Sequence, residues 1–452
     1  MTFPKGFVWG AASASYQVEG AVREDGRGLS VWDMMCRTPG KIWDGQTGDV
    51  AGDHYHRWRE DVSIMREIGL KGYRFSIAWP RIMPSGTGAI NAKGLAFYDK
   101  LVDALLAAGV QPWVTLFHWD YPHELYTRGG WLNPDSPDWF ADYTRVVVDK
   151  LSDRVRHWMT LNEPACFIGM GLQTGEHAPG DKLGFPEVLR AAHHTLLAHG
   201  KAVQVIRARA KRKPVVGFAP CGRVSAPVSG SKADIAAARR HMFEMFDKDV
   251  GNYALWTDPV FLGHYPEEAL KTFGADMPKV KSGDMKTICQ PVDFFGMNIY
   301  NCVKVRAGKG GRPETVPYGI GHSLTTMEWA VTPEALYWGP RFAWERYKKP
   351  IVITENGMAN TDWIALDGQV HDPQRIDFLT RYLREYRRAI RDGVKSLGYF
   401  QWSFTDNFEW TFGVKRRFGL VYLDYPTGRR IPKDSARWYK QVIATHGASL
   451  GE

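Results

Sequence analysis

Residues 72–118 read GYRFSIAWPRIMPSGTGAINAKGLAFYDKLVDALLAAGVQPWVTLFH, and their pattern decides the fold. The stretches 72–79 and 111–118 are short runs of apolar, β-branched and aromatic residues bounded by Gly, Pro and polar punctuation, which is the composition of buried strands. Between them Leu95, Tyr98, Leu101, Val102 and Leu105 recur at helical spacing and form one apolar stripe. Asn91 stands where an N-cap belongs and Gly109 where a helix stops. Strand, helix and strand in succession are the repeating unit of an α/β protein.

The same alternation continues on both sides. Further candidate strands fall near 7–14, 157–162, 214–219, 292–300, 350–354 and 397–404, and amphipathic stretches near 54–68, 138–151, 187–209, 333–347 and 374–392. About eight strand–helix alternations predict a single α/β domain over residues 1–452, a (β/α)8 TIM barrel with elaborated loops at the C-terminal face of its strands. A length of 452 residues would also hold several ordinary domains, but no low-complexity linker, charge block or internal repeat divides the chain. No Gly-rich phosphate loop follows an early strand, which disfavours a doubly wound nucleotide-binding sheet. The stretch 307–314, rich in Gly, Lys, Arg and Pro, reads as a mobile loop over the barrel mouth.

Composition removes several function classes. With 44% hydrophobic and 24% charged residues the chain is globular, and no run of about 18 apolar residues marks a membrane span. The first residues carry no basic region ahead of a long apolar one, so a cytoplasmic location is expected and no membrane partner. The formal charge of +9 is spread over short clusters such as Lys211-Arg212-Lys213 rather than concentrated, so no nucleic-acid partner is expected. Five cysteines, Cys36, Cys166, Cys221, Cys289 and Cys302, are odd in number and far apart, suggesting buried thiols and neither a disulfide framework nor zinc. His54 with His56 and His193 with His194 have the wrong spacing for a shared metal on one helix face, so no metal site is expected. Eighteen tryptophans, many beside polar residues as in HWD, QWSF and NFEW, hint at sugar rings, whose C–H faces stack while their hydroxyls need partners.

In a barrel of this kind chemistry gathers where strands end. The polar residues there are Arg74, His118-Trp119-Asp120, Asn162-Glu163-Pro164, Asn298-Ile299-Tyr300, Glu355-Asn356-Gly357 and Trp402. Glu163 and Glu355 close the apolar runs WMTLNE and IVITE, and an unpaired carboxylate buried there would cost several kcal/mol, so each faces the mouth or a partner. Paired carboxylates suit glycoside hydrolysis, while proton abstraction and metal binding stay open at this point.

The chain resembles glycoside hydrolase family 1, the retaining β-glucosidases, from about residue 3 to residue 440. The resemblance is carried by FVWGAASASYQVEGA, GDHYHRW, YRFSIAWPRI, TLFHWDYP, RGGWLN, TLNEP at 160–164, HAPG, FFGMNIY, TENG at 354–357 and WSFTDNFEW…RFGLVYLDY. It implies Glu355 as nucleophile and Glu163 as general acid/base, about 5–5.5 Å apart. Arg74, Asn298 and Tyr300 would support the nucleophile. Gln17, His118, Asn162, Glu409 and Trp410 would bind the sugar hydroxyls, Asn162 facing the 2-hydroxyl, with Trp402 as the platform under the ring.

The implied substrates are β-glucosides and oligosaccharides such as cellobiose, with β-galactosides and β-fucosides also accepted, and no cofactor is implied. A 6-phospho-β-glucosidase is one alternative, but the Glu409 carboxylate would repel a 6-phosphate, and Lys415, Arg416 and Arg417 read as loop charges. A non-catalytic sugar-binding protein is the other, but both catalytic motifs are intact. Oligomeric state is left open. After TLNEP the family often has a tryptophan, where this chain has Ala165. The leaving-group site is thus expected around Trp329, Ala165 and Phe167, with one aromatic wall in place of two.

Overall fold

Short apolar runs bury both faces only when each strand is flanked by two others and covered by a helix, and closing the sheet on itself meets that demand for every strand. The computed structural model, which describes residues 2–451, has this architecture. Eight parallel strands pair in chain order: β1 (Val8–Ala12), β2 (Gly72–Ser76), β3 (Gln111–Phe117), β4 (His157–Asn162), β5 (Val215–Ala219), β6 (Phe294–Asn298), β7 (Ile351–Asn356) and β8 (Ser396–Trp402). The barrel closes where β1 pairs with β8, Val8 beside Gly398 and Ala12 beside Trp402.

A helix follows each strand: α1 (His54–Ile68), α2 (Ala92–Ala107), α3 (Ser136–Leu151), α4 (Phe185–Arg209), α5 (Tyr253–Phe261), α6 (Ala335–Tyr347), α7 (Pro373–Arg391) and α8 (Asp434–Ala444). In α2 the Asn91 side chain accepts from the Lys93 N–H, the cap read in the sequence. α5 had no amphipathic signature, because Tyr253 to Val260 are all buried. A helix covered on every side shows no polar face.

Inside the barrel Val8, Trp113, Met159, Phe294, Val352 and Phe400 form a core distinct from the larger one between strands and helices. The aromatics need room: a Cβ on Gly217 would lie 2.2 Å from the Phe294 ring. Residues 307–314 are the turn of a hairpin and the strand ends beside it. Val303–Ala307 and Pro313–Val316 form an antiparallel hairpin, joined in a three-stranded side sheet by Ser225–Pro227. Asp234 pins its turn by accepting from the Ala307 N–H at 2.8 Å. Among the described residues no helix is long and apolar enough to cross a membrane.

Candidate active site

The C-terminal strand ends surround a cavity of about 570 Å³. His118, Glu163, Asn298, Tyr300, Glu355, Trp402, Glu409 and Trp410 line it, with Ala165 and Trp329 further out. Arg74, Asn162 and Gln17 are wholly buried behind that lining.

Glu355, at the end of β7, is held from two sides. Arg74 Nη1 donates to Oε1 at 2.6 Å and the Tyr300 hydroxyl to Oε2 at 2.7 Å. A buried carboxylate is tolerable with this ion pair and both oxygens hydrogen-bonded. Arg74 Nη2 also donates to Asn162 Oδ1 at 2.5 Å, and Asn298 Nδ2 donates to the same oxygen and to Glu163 Oε1, both at 2.9 Å. The two carboxyls are thereby joined through Arg74, Asn162 and Asn298.

Asn298 makes its side-chain hydrogen bonds to Asn162 and Glu163 and none directly to Glu355. It ends β6 as the register partner of Glu355, yet its amide reaches Glu163, and Thr354 fixes it by donating its hydroxyl to Oδ1 at 2.6 Å, while Tyr300, beyond the strand, turns to Glu355.

Glu163 follows β4 with φ +48°, a left-handed conformation costly for a residue with a Cβ. Its N–H donates to Ala219 O at 2.8 Å, and its side chain is turned into the cavity. Burial, and then the charge of Glu355, push its carboxyl up to about 8. It can hold a proton at neutral pH.

At the inner end, His118 is held neutral by burial and by the Arg74 charge. Asn162 Nδ2 lies 3.0 Å from Nε2, so Nε2 accepts and the proton sits on Nδ1, which has no protein partner. Gln17 Oε1 is likewise buried without a partner, while its Nε2 donates to Asn407 Oδ1 at 3.0 Å and to Glu409 Oε2 at 3.4 Å. Unsatisfied polar atoms in such a place are what a polyhydroxylated ligand would satisfy. Trp402 stacks on His118 with centroids 5.8 Å apart, and Trp410 lies on Trp119 at 4.5 Å.

Glu409 is also pushed up to about 8, by burial and then by Glu355 and Glu163. Burial and the neighbouring carboxylates thus favour its protonated form, which weakens charge repulsion as the reason for excluding a phosphate. The stronger argument is that no lysine or arginine is among the residues lining the cavity. Arg417 is no simple loop charge, since its Nη1 donates to the buried Asp406 at 2.6 Å. Lys415 and Arg416 lie over Trp43 and Phe412.

Trp329 lines the cavity packed on Tyr300 at 5.1 Å and Phe418 at 6.2 Å. Ala165 also lines the cavity, but Phe167 does not. The helical turn after Pro164 carries Phe167 into the core, against Phe117 at 5.0 Å and Trp131 at 5.8 Å. The histidine pairs serve the fold: His54 binds Asp61, and His193 meets Tyr265 and Asp284.

Several lining residues were not singled out as site residues from the sequence: Trp119, Met170, His177, Met327, Phe412 and the thiols Cys166 and Cys221. Trp119 stood in the quoted HWD run and donates its indole N–H to Asn162 O at 3.0 Å. The thiols gave no signal, because 55 residues separate them in the chain and only the β4–β5 pairing brings them together.

The model of glycosyl hydrolase family 1 matches residues 1–448. β-Glucosidase A of Thermotoga maritima is 43% identical over 98% of this chain and 98% of its own length. A bifunctional β-D-glucosidase/β-D-fucosidase of Bifidobacterium breve is 41% identical over 99% of each chain. The solved Thermotoga maritima β-glucosidase in complex with glucoimidazole superposes with a TM-score of 0.91, at 43% identity and 99% coverage of both chains.

Proposed function

The chain belongs to glycosyl hydrolase family 1, and from that premise we propose that it is a retaining β-glucosidase acting on terminal, non-reducing β-D-glucosyl residues of oligosaccharides such as cellobiose and of aryl and alkyl glucosides. The observation that carries the reading is the contrast between two linked carboxyls. Glu355 is gripped by a cation and a phenol, and Glu163 has its pKa pushed up to about 8 by burial and by Glu355.

In this reading a Glu355 oxygen attacks the anomeric carbon while Glu163 gives its proton to the glycosidic oxygen. The C–O bond breaks, the aglycone leaves as an alcohol, and a glycosyl ester of Glu355 remains. Esterification removes the Glu355 charge that helped raise the Glu163 pKa, so Glu163 becomes a base. It takes a proton from water, the water oxygen attacks the anomeric carbon, and the ester bond breaks to free Glu355. The steps balance without a cofactor.

The unpaired His118 Nδ1–H and Gln17 Oε1, with Glu409, support a glycone site for sugar hydroxyls. Glu409 can donate or accept according to its protonation, which suits both equatorial and axial 4-hydroxyls. The relative named as a glucosidase and fucosidase supports extension to β-fucosides and, by the same logic, β-galactosides. Five free thiols support a reducing, cytoplasmic setting. Because β1 and β8 close one barrel, residues 1–452 are read as one domain.

The test is hydrolysis of p-nitrophenyl β-glucoside with the anomer followed by proton NMR. β-Glucose should form first and then mutarotate. First-formed α-glucose, or no turnover, would overturn the reading.

A further inference from the structure

Two thiols stand at the proposed acid/base. Cys166 Sγ lies 3.4 Å from Cys221 Sγ and 3.5 Å from Glu163 Oε2. The three ligand atoms lie within 4.8 Å of one another on the cavity wall, and both cysteines are part-exposed. Asn298 takes the other oxygen, Oε1, so Oε2 is left facing the sulfurs. Cys36 and Cys302 are buried as read from the sequence, but Cys166 and Cys221 are half-buried and adjacent, for a topological reason. Cys166 lies one turn beyond Glu163, and Cys221 lies two residues past the end of the adjacent strand β5.

We propose that Glu163, Cys166 and Cys221 form a binding site for a thiophilic divalent cation of the Zn²⁺ or Cd²⁺ type, and that its occupation inhibits the enzyme. Tetrahedral zinc with Zn–S of about 2.3 Å and Zn–O of about 2.0–2.2 Å sets S···S near 3.8 Å and S···O near 3.6 Å. The observed 3.4 and 3.5 Å lie a few tenths of an ångström below these values, and the third edge, Cys221 to Glu163, is within 4.8 Å and closes as the side chains turn onto the cation. The open cavity leaves a fourth position for water. Glu355 supplies further negative charge, while Arg74 is turned to Glu355 and Asn162. On binding, two S–H protons and any carboxyl proton leave to solvent as two metal–sulfur bonds and one metal–oxygen bond form. The inhibition half rests on the proposed role of Glu163, since a carboxylate held by a metal cannot protonate a leaving group. The cation site itself does not depend on that role.

The reduced full-length protein, free of chelator, is titrated with Cd²⁺ and followed by thiolate-to-metal absorption in the ultraviolet. In parallel, p-nitrophenyl β-glucoside hydrolysis is measured against Zn²⁺, each variant referred to its own metal-free rate. One thiolate-bound Cd²⁺ per chain is expected, absent in Cys166→Ala/Cys221→Ala. Zn²⁺ inhibition should reverse with EDTA and weaken more than about tenfold in Cys221→Ala, since losing an outer-shell partner alone costs about 10–100-fold in affinity. Cys289→Ala, remote from the cavity, should keep the sensitivity. An unchanged absorption band in the double variant, or unchanged Zn²⁺ sensitivity in Cys221→Ala, would overturn the site. Cd²⁺ binding without Zn²⁺ inhibition overturns the claim that the cation takes the carboxyl. Inhibition reversed by fresh reductant but not by EDTA would mean a Cys166–Cys221 disulfide and sink the cation site. The metal-free rate separately tests the β-glucosidase reading.

Discussion

Asn298→Ala should move the alkaline limb of the pH–rate profile outward. Asn298 Nδ2 donates to Glu163 Oε1 at 2.9 Å and is a cause holding the Glu163 pKa down, against burial and the Glu355 charge that push it to about 8. A hydrogen bond to a charged acceptor contributes about 1.5–3 kcal/mol and one to a neutral acceptor about 1 kcal/mol. Oε1 still accepts when Glu163 is protonated, so only the difference, about 0.5–2 kcal/mol, acts on the pKa. At about 1.4 kcal/mol per unit the shift is about 0.4–1.5 units upward. The assay is kcat/KM on p-nitrophenyl β-glucoside from about pH 4 to about pH 10, where the alkaline limb reports loss of the acid's proton in the free enzyme. The Thr354 hydroxyl loses its acceptor, so kcat falls too, but that leaves the limb's position to be read. An alkaline limb that stays or moves inward would refute the electrostatic argument. An acidic limb that moves alone would return Asn298 to Glu355.

Glu355→Ala with azide should give α-glucosyl azide from a β-glucosyl donor such as glucosyl fluoride, and Glu163→Ala β-glucosyl azide from dinitrophenyl β-glucoside; chromatography and NMR of the products read the roles directly, and the opposite pairing reverses them. Ala165→Trp should restore a second stacking wall and raise kcat/KM for cellobiose about 2- to 13-fold, from about 0.5–1.5 kcal/mol of stacking. Methyl β-glucoside should hardly respond, and an equal change in both would instead indict Glu163 or folding. Glu163→Gln should raise Tm relative to the parent, because Glu163 keeps its proton to about 8 when folded and releases it near its ordinary 4.5 when unfolded. The parent's stability from this group is present below 4.5 and lost as pH rises to about 8, so the Tm difference should widen over that window. A difference that does not vary with pH would contradict the raised value.

The barrel was legible because each strand is a short apolar run with punctuation at both ends, and a one-dimensional pattern suffices to find it. β4 and β7 also announced the site, since a glutamate directly after WMTLN or IVIT has few physical options. What stayed hidden depends on rotation about an element or on neighbours across strands. Ala165 and Phe167 are two residues apart, yet one lines the cavity and the other joins the core, and only the π-helical winding of 165–174 decides which. Asn298 stands beside Glu355 in the sheet, but its amide is hydrogen-bonded to Glu163, which no linear pattern announces. The Cys166–Cys221 pair and the raised Glu409 arise from groups far apart in sequence meeting in a buried space, for which a linear reading has no signal.

The closure of β1 on β8 also sets a clock for biosynthesis. Gln17 and Glu409, which share a hydrogen bond in the sugar pocket, are 392 residues apart. At about 5–20 residues per second, the amino-terminal strand waits on the order of 20–80 s on the ribosome for its partner. Through that interval the edge of Val8–Ala12 that will meet β8 has no partner, and the pocket lacks its far wall. Activity thus arrives at one moment, once β8 and the Glu409 segment have been made, and a nascent chain stalled before Glu409 has no sugar pocket rather than being a slower enzyme.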